Sequence, residues 1–131
     1  MANELILIVE DNEKNLKLVR DVLQYKGYQT IEAGTGEDGV RLAKARIPDL
    51  VLMDIQLPGM DGITALGHLR ADPATRAIPV IAVTASAMTH DRKKIMAAGF
   101  NGYQSKPIKV KEFMDTLNAA FTLAEETSRR N

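Results

Sequence analysis

Three stretches of this chain, residues 5–9, 50–53 and 80–83, are unbroken runs of apolar side chains. A strand with one wet face alternates apolar and polar residues, whereas an unbroken run suits a strand covered on both faces, as in a parallel sheet. Each run also ends on polar residues: Glu10 and Asp11 after the first, Asp54 after the second, Thr84 after the third. A carboxylate at the mouth of a dry strand is costly unless something compensates it. One such Asp can simply cap the following turn. Several strand ends doing the same thing need another explanation.

Between the runs the period changes. Leu16, Val19 and Leu23 recur at helical spacing, with Asp11 or Asn12 as the cap before them and Gly27 as the stop. Asn15, near the start of that helix, reads as a local capping or loop-ordering side chain. Residues 29–33 alternate polar and apolar, which predicts a half-exposed edge strand. Thr35, with Asp38 three residues on, starts a helix carrying Val40, Leu42 and Ala43 to Arg46, and Pro48 bars its extension. After Asp54, Pro58, Gly59 and Gly62 mark a loop. Asp61 is the expected cap of a helix with Ile63, Leu66 and Leu69 that ends near Asp72 and Pro73. The small residues Ala85, Ser86 and Ala87 follow the next strand, and a helix over about 89–98 stops at Gly99. Residues 102–105 form a short last strand ending at Lys106 and Pro107. Val110, Phe113, Met114, Leu117 and Phe121 share one stripe of the final helix.

Five strands alternating with five helices specify an α/β domain, a parallel sheet with helices on both faces. Right-handed crossovers cover both faces only if the winding reverses once. With the polar second strand at an edge, the strand order is 2-1-3-4-5, the doubly wound (βα)5 arrangement of flavodoxin and CheY. The reversal falls between strands 1 and 3, and sheets of this kind bind ligands there, at the carboxyl ends of the strands.

The 131 residues make one domain, able to bury roughly two-thirds of its unfolded surface. Residues 1–124 are expected to form it, with 125–131 a polar tail that frays. Seventeen basic and seventeen acidic residues balance to zero, which argues against nucleic acid as a partner. There is no cysteine, so neither disulfide nor thiolate chemistry enters. Residues 5–9 are too short for a signal peptide or membrane span, and the first residues carry no basic region. A cytoplasmic protein without membrane attachment is the simplest expectation.

Glu10, Asp11, Asp54, Thr84 and Lys106 therefore meet at one rim. Carboxylates in mutual reach repel by about 1 kcal/mol or more per close pair at an effective dielectric near 20. A hard divalent cation relieves that repulsion, and an open, all-oxygen site suits Mg2+. A metal, a lysine and a hydroxyl also match the needs of phosphoryl transfer: they neutralise or hydrogen-bond phosphoryl oxygens while a carboxylate, Asp54, attacks. No Walker loop or dinucleotide fingerprint is present. The chain reads as a receiver of phosphoryl groups rather than a nucleotide enzyme.

The pieces Val9-Glu10-Asp11-Asn12, Met53-Asp54, Leu57-Pro58-Gly59-Met60-Asp61-Gly62, Val83-Thr84-Ala85 and Lys106-Pro107, in this order and spacing, resemble the response-regulator receiver domains of the CheY-like family. Asp11-Asn12-Glu13-Lys14-Asn15, Thr84-Ala85-Ser86-Ala87-Met88 and Ser105-Lys106-Pro107-Ile108 resemble its DivK-like single-domain regulators most. The resemblance implies that Asp54 is the phosphoacceptor and that Glu10 and Asp11 are the metal-binding acids. It implies that the Gln56 backbone carbonyl completes a site for Mg2+ or Mn2+. Thr84 would be the switch hydroxyl, Lys106 the phosphate-contacting cation and Tyr103 the switch aromatic, with a cis Lys106–Pro107 bond. Many family members carry Asp where this chain has Glu10, whose longer side chain would reach the metal through water.

The implied function is that of a single-domain response regulator in two-component or phosphorelay signalling. It would take a phosphoryl group from a histidine kinase or histidine phosphotransferase and, with no effector domain of its own, signal by binding a protein. The implied docking surface comprises the fourth helix, fifth strand and fifth helix. Beyond self-phosphorylation and autodephosphorylation at Asp54, no enzyme activity is expected. Ala85 is small and would leave the phosphoryl group open to water. A dehalogenase-type phosphatase would need a second Asp where Gln56 stands. An FMN carrier would need a Ser-, Thr- and Gly-rich loop where the acids stand, and an inert module leaves the acids unexplained. His68, His90 and the Arg92-Lys93-Lys94 run read as surface residues.

Overall fold

The computed structural model describes residues 4–85 and 89–130, the side chains of 89–91 and 123–130 excepted. In chain order the elements are β1 (Leu5–Val9), α1 (Glu13–Tyr25), β2 (Gln29–Ala33), α2 (Gly36–Arg46), β3 (Leu50–Asp54), α3 (Gly62–Ala71), β4 (Val80–Thr84), α4 (Thr89–Ala97), β5 (Gly102–Ser105) and α5 (Val110–Arg130). The strands form one parallel sheet in the order β2-β1-β3-β4-β5. This is the doubly wound α/β architecture that the apolar runs predict.

Strand alternation explains why those runs have no polar member. Leu7 and Val9, with Val51 and Met53, face a cluster completed by Ala43 of α2, Leu66 and Leu69 of α3 and Ile95 of α4. Ile6 and Ile8, with Leu50 and Leu52, face the opposite cluster, built with Val19 and Leu23 of α1 and Phe113 and Leu117 of α5. Burying each Leu- or Ile-sized side chain contributes roughly 1.5–3 kcal/mol, so both faces are committed. The edge strand β2 has only Ala33 buried, as its alternation predicts.

Local signals set the helix ends. Asn12, rather than Asp11, caps α1, its Oδ1 accepting the Asn15 N–H at 3.1 Å. Thr35 and Asp61 cap α2 and α3 in the same way, accepting from the Asp38 and Thr64 amides. Val110 departs from the stripe on which its spacing places it: it is 45% exposed, at the first residue of α5 and one turn before Phe113 meets the core. The helix continues through the polar stretch to Arg130. Ser86, Ala87 and Met88 and the side chain of His90 lie outside the described residues.

Two features carry no signal in the sequence patterns. Ile47 ends α2 in the left-handed region at φ 44°, where a β-branched residue is a strained exception. Arg70 fans out to four acceptors: the Ile78 carbonyl at 2.7 Å, Arg76 carbonyl at 3.0 Å, Gly99 carbonyl at 3.2 Å and Asn101 Oδ1 at 2.7 Å. Asn101 Oδ1 also accepts the Val80 N–H at 2.9 Å. These bonds tie the end of α3 to the entries of β4 and β5.

Candidate functional site

Register brings the polar strand ends together. Val9 pairs with Met53 and Asp54 with Val83, so Glu10 follows β1 where Asp54 closes β3. Thr84, one residue past Val83, pairs with Ser105, and Lys106 comes next, its N–H bonding the Thr84 carbonyl at 2.8 Å. The Lys106–Pro107 bond is cis, as the resemblance implies.

Lys106 Nζ stands 2.9 Å from Glu10 Oε1 and 2.9 Å from Asp54 Oδ2. The three residues stand at the carboxyl ends of three separate strands, β1, β3 and β5, on one rim. Glu10 and Asp54 are 5% and 3% exposed, so neither carboxylate is screened by bulk water. Each is held by a backbone amide two residues on: Asn12 N–H to Glu10 Oε2 at 3.2 Å, Gln56 N–H to Asp54 Oδ1 at 3.0 Å. Burial pushes the Glu10 carboxyl above the ordinary carboxylate range, the nearby Asp54 adding to it and Lys106 opposing it. For Lys106, burial works against the charge, but the bonds to Glu10 and Asp54 outweigh it and hold its pKa above the usual lysine value.

Asp11, exposed at the mouth, joins them: one carboxylate oxygen from each of Glu10, Asp11 and Asp54 lies within 4.8 Å of the others. One ammonium facing three carboxyl groups leaves a surplus of negative charge. An all-oxygen cluster with an exposed member fits a hard, partly hydrated cation such as Mg2+. Glu10 is committed to Lys106 and the Asn12 amide, an arrangement compatible with contact to a cation through water.

Thr84 is buried at the carboxyl end of β4. Tyr103 of β5 is half-buried against the α2–α3–α4 face, with the Arg92 guanidinium 5.5 Å from its ring centre. Gln56 is exposed, two residues beyond Asp54. His68 is exposed and away from the rim. Sequence reasoning marks Gly62 as a loop residue and as part of the resemblance over residues 57–62, without the contact that requires a glycine. Its N–H bonds the Ile55 carbonyl at 3.0 Å, and a Cβ there would stand 2.4 Å from the Asp54 carbonyl oxygen. The loop thus folds back onto the strand end that carries Asp54, a closeness that only a missing side chain allows.

Comparison with known proteins points the same way. The pattern of the response regulator receiver domain matches residues 6–118. The polar-differentiation response regulators DivK of Brucella ovis and Brucella abortus are each 46% identical over 114 residues, covering 87% of this chain and 93% of theirs. A receiver domain of a sensor histidine kinase from Pseudomonas aeruginosa PAO1, solved with a magnesium ion in its active-site cleft, is 36% identical with a TM-score of 0.85. That alignment covers 92% of this chain and 99% of that one. A putative response regulator from Chloroflexus aurantiacus is 28% identical with a TM-score of 0.87, over 92% of this chain and 98% of its own.

Proposed function

This chain belongs to the response regulator receiver-domain family of two-component signalling and is DivK-like, and from that premise we propose that Asp54 accepts a phosphoryl group with Mg2+ or Mn2+ bound. The observation that carries the proposal is the Lys106 ammonium at 2.9 Å from both Glu10 and Asp54. Asp11 lies in the same carboxylate cluster.

In the proposed reaction an Asp54 oxygen attacks the phosphorus of a phosphohistidine on a histidine kinase or phosphotransferase. The P–N bond breaks and the imidazole leaves with a proton. Glu10, Asp11, Asp54 and the Gln56 carbonyl would hold the cation, which would supply positive charge to the phosphoryl oxygens. Lys106, freed from Asp54 by the loss of its charge-bearing oxygen to the new bond, turns to a phosphoryl oxygen. The Thr84 hydroxyl donates to another. Its movement opens space for Tyr103, and the α4–β5–α5 face changes shape.

That face carries a groove of about 360 Å3 lined by Arg92, Tyr103, Ser105, Glu112, Asp115 and Thr116, among others. It is the proposed docking place of a downstream protein. The family is not one of classical enzymes, and the proposed chemistry is confined to phosphorylation and dephosphorylation of Asp54. No helix among the described residues is long and apolar enough to cross a membrane, and a cytoplasmic setting is proposed. The test is to incubate the protein with phosphoramidate or acetyl phosphate and Mg2+ and measure intact mass. One added phosphoryl group, absent with chelator and absent in Asp54→Asn, is expected. No mass change in the native protein overturns the proposal.

A further inference from the structure

Helix α2 packs closely against the loop that follows Asp54 and against the end of β1 that leads into Glu10 and Asp11. At its first residue, Gly36, a Cβ would stand 2.7 Å from the Met60 carbonyl oxygen and 3.2 Å from Met60 Cβ. Met60 belongs to the loop that begins at Asp54 and Gln56 and closes at Gly62. One residue on, the Glu37 carboxylate reaches the same loop, 3.2 Å from where a Cβ on Gly59 would sit. At Gly39 a Cβ would stand 2.8 Å from Val9 Cγ2 and 3.1 Å from Cγ1. Val9 is the residue immediately before Glu10 and Asp11.

Residues three apart share one face of a helix. Gly36 and Gly39 therefore act as two points on a single rigid rod, one against the loop that follows Asp54 and the other against Val9 at the end of β1, one residue before the acids. Alanine is the better helix former at both places, so the close approach is what glycine serves. We infer that Gly36 and Gly39 are positioning residues of the acidic pocket. The strands fix the spacing of β1 and β3, and the closeness of α2 at these two points seats the Asp54–Gln56 turn and the end of β1 that leads into Glu10 and Asp11, and hence tunes the affinity for a divalent cation. A methyl at either point displaces the segment it meets. The cation then binds more weakly, while the acids themselves and their ability to react at saturating cation remain.

The inference deepens the phosphoryl-acceptor reading but is tested without it, by Mn2+ affinity from water-proton relaxation. In Gly39→Ala that affinity falls by about tenfold, the scale of losses from disturbed ligand supports. The Mg2+ concentration for half-maximal phosphorylation rises to match, while the rate at saturating Mg2+ stays within about twofold, the signature of lost binding rather than lost chemistry. In a Val9→Ala background the methyl groups that meet the new Cβ are gone, so adding Gly39→Ala changes Mn2+ affinity by less than about twofold. Unchanged affinity in folded Gly39→Ala, or an equal loss in both backgrounds, overturns the inference. Should Gly39→Ala alone not fold, Gly36→Ala decides, with weakened Mn2+ binding supporting the inference and native binding overturning it. A native protein that binds Mn2+ with these sensitivities but takes no phosphoryl group refutes the functional reading and leaves this one standing.

Discussion

Lys106 offsets part of the negative charge in the pocket, with a side chain only 16% exposed between two nearly buried carboxylates. Removing one partner from a buried charge cluster leaves the others uncompensated, at a cost of about 3 kcal/mol. In chelator, Lys106→Met should lower the urea midpoint accordingly, and added Mg2+ should recover part of the loss because a dication can stand in for the ammonium. A native-like midpoint in chelator would contradict the charge balance described here. The pH dependence follows from the raised Lys106 pKa. Above the ordinary lysine value of 10.5, the folded state holds a proton that the unfolded state has released. That contribution is fully present below 10.5 and is lost as pH rises through the folded value. Alkaline urea titrations should therefore show a steeper loss in the native protein than in Lys106→Met. Ala85 is exposed beside Thr84, and Ala85→Thr should shield the phosphoryl group. Acyl-phosphate decay is then expected to slow several-fold, and an unchanged decay rate would count against the access argument.

At the scale of elements, Ile47 and Arg70 are the places where sequence patterns run out. A left-handed β-branched residue costs about 1–2 kcal/mol. Because Ile47 is 47% exposed, little packing offsets it. Ile47→Asn should raise stability by about 1 kcal/mol, a few degrees in melting temperature, measurable by calorimetry; a drop would mean that packing outweighs strain. Arg70→Ala, which removes four bonds joining α3 to the entries of β4 and β5, should cost about 2 kcal/mol. Strand identity, the edge position of β2 and the caps Thr35 and Asp61 were legible because each depends on neighbours in the chain, while the cap of α1 was narrowed only to Asp11 or Asn12. The rim was legible because strand ends in a parallel sheet must share one side. The Arg70 fan, Gly62 against Asp54, and Gly36 and Gly39 against Met60 and Val9 were not legible. They arise between residues that only the folded chain brings together, and a glycine in a helix reads as a weak helix former whatever lies opposite it. Val110 was misplaced for a related reason: periodicity gives a face but not how far along the helix the core extends.

The whole molecule has its proposed chemistry at one rim and its proposed output surface along one side, linked by β4 and β5. Phosphorylation at Asp54 adds roughly two negative charges, and a two-state shift needs only about 1–3 kcal/mol of coupling to be useful. Tyr103 packs on the side of the sheet that bears α4, under Arg92. Tyr103→Ala should thus reduce the difference in partner affinity between phosphorylated and unphosphorylated protein by about fivefold or more, read by calorimetry once a partner is in hand. An undiminished difference would assign Tyr103 a static role. All of this depends on one acyl phosphate forming at one place. Phosphorylate the native protein with phosphoramidate and Mg2+, reduce it with borohydride, and map the peptides: an aspartyl phosphate becomes homoserine. Homoserine at position 54 alone is the predicted result, and homoserine at another acidic position, or none at all, would contradict the account.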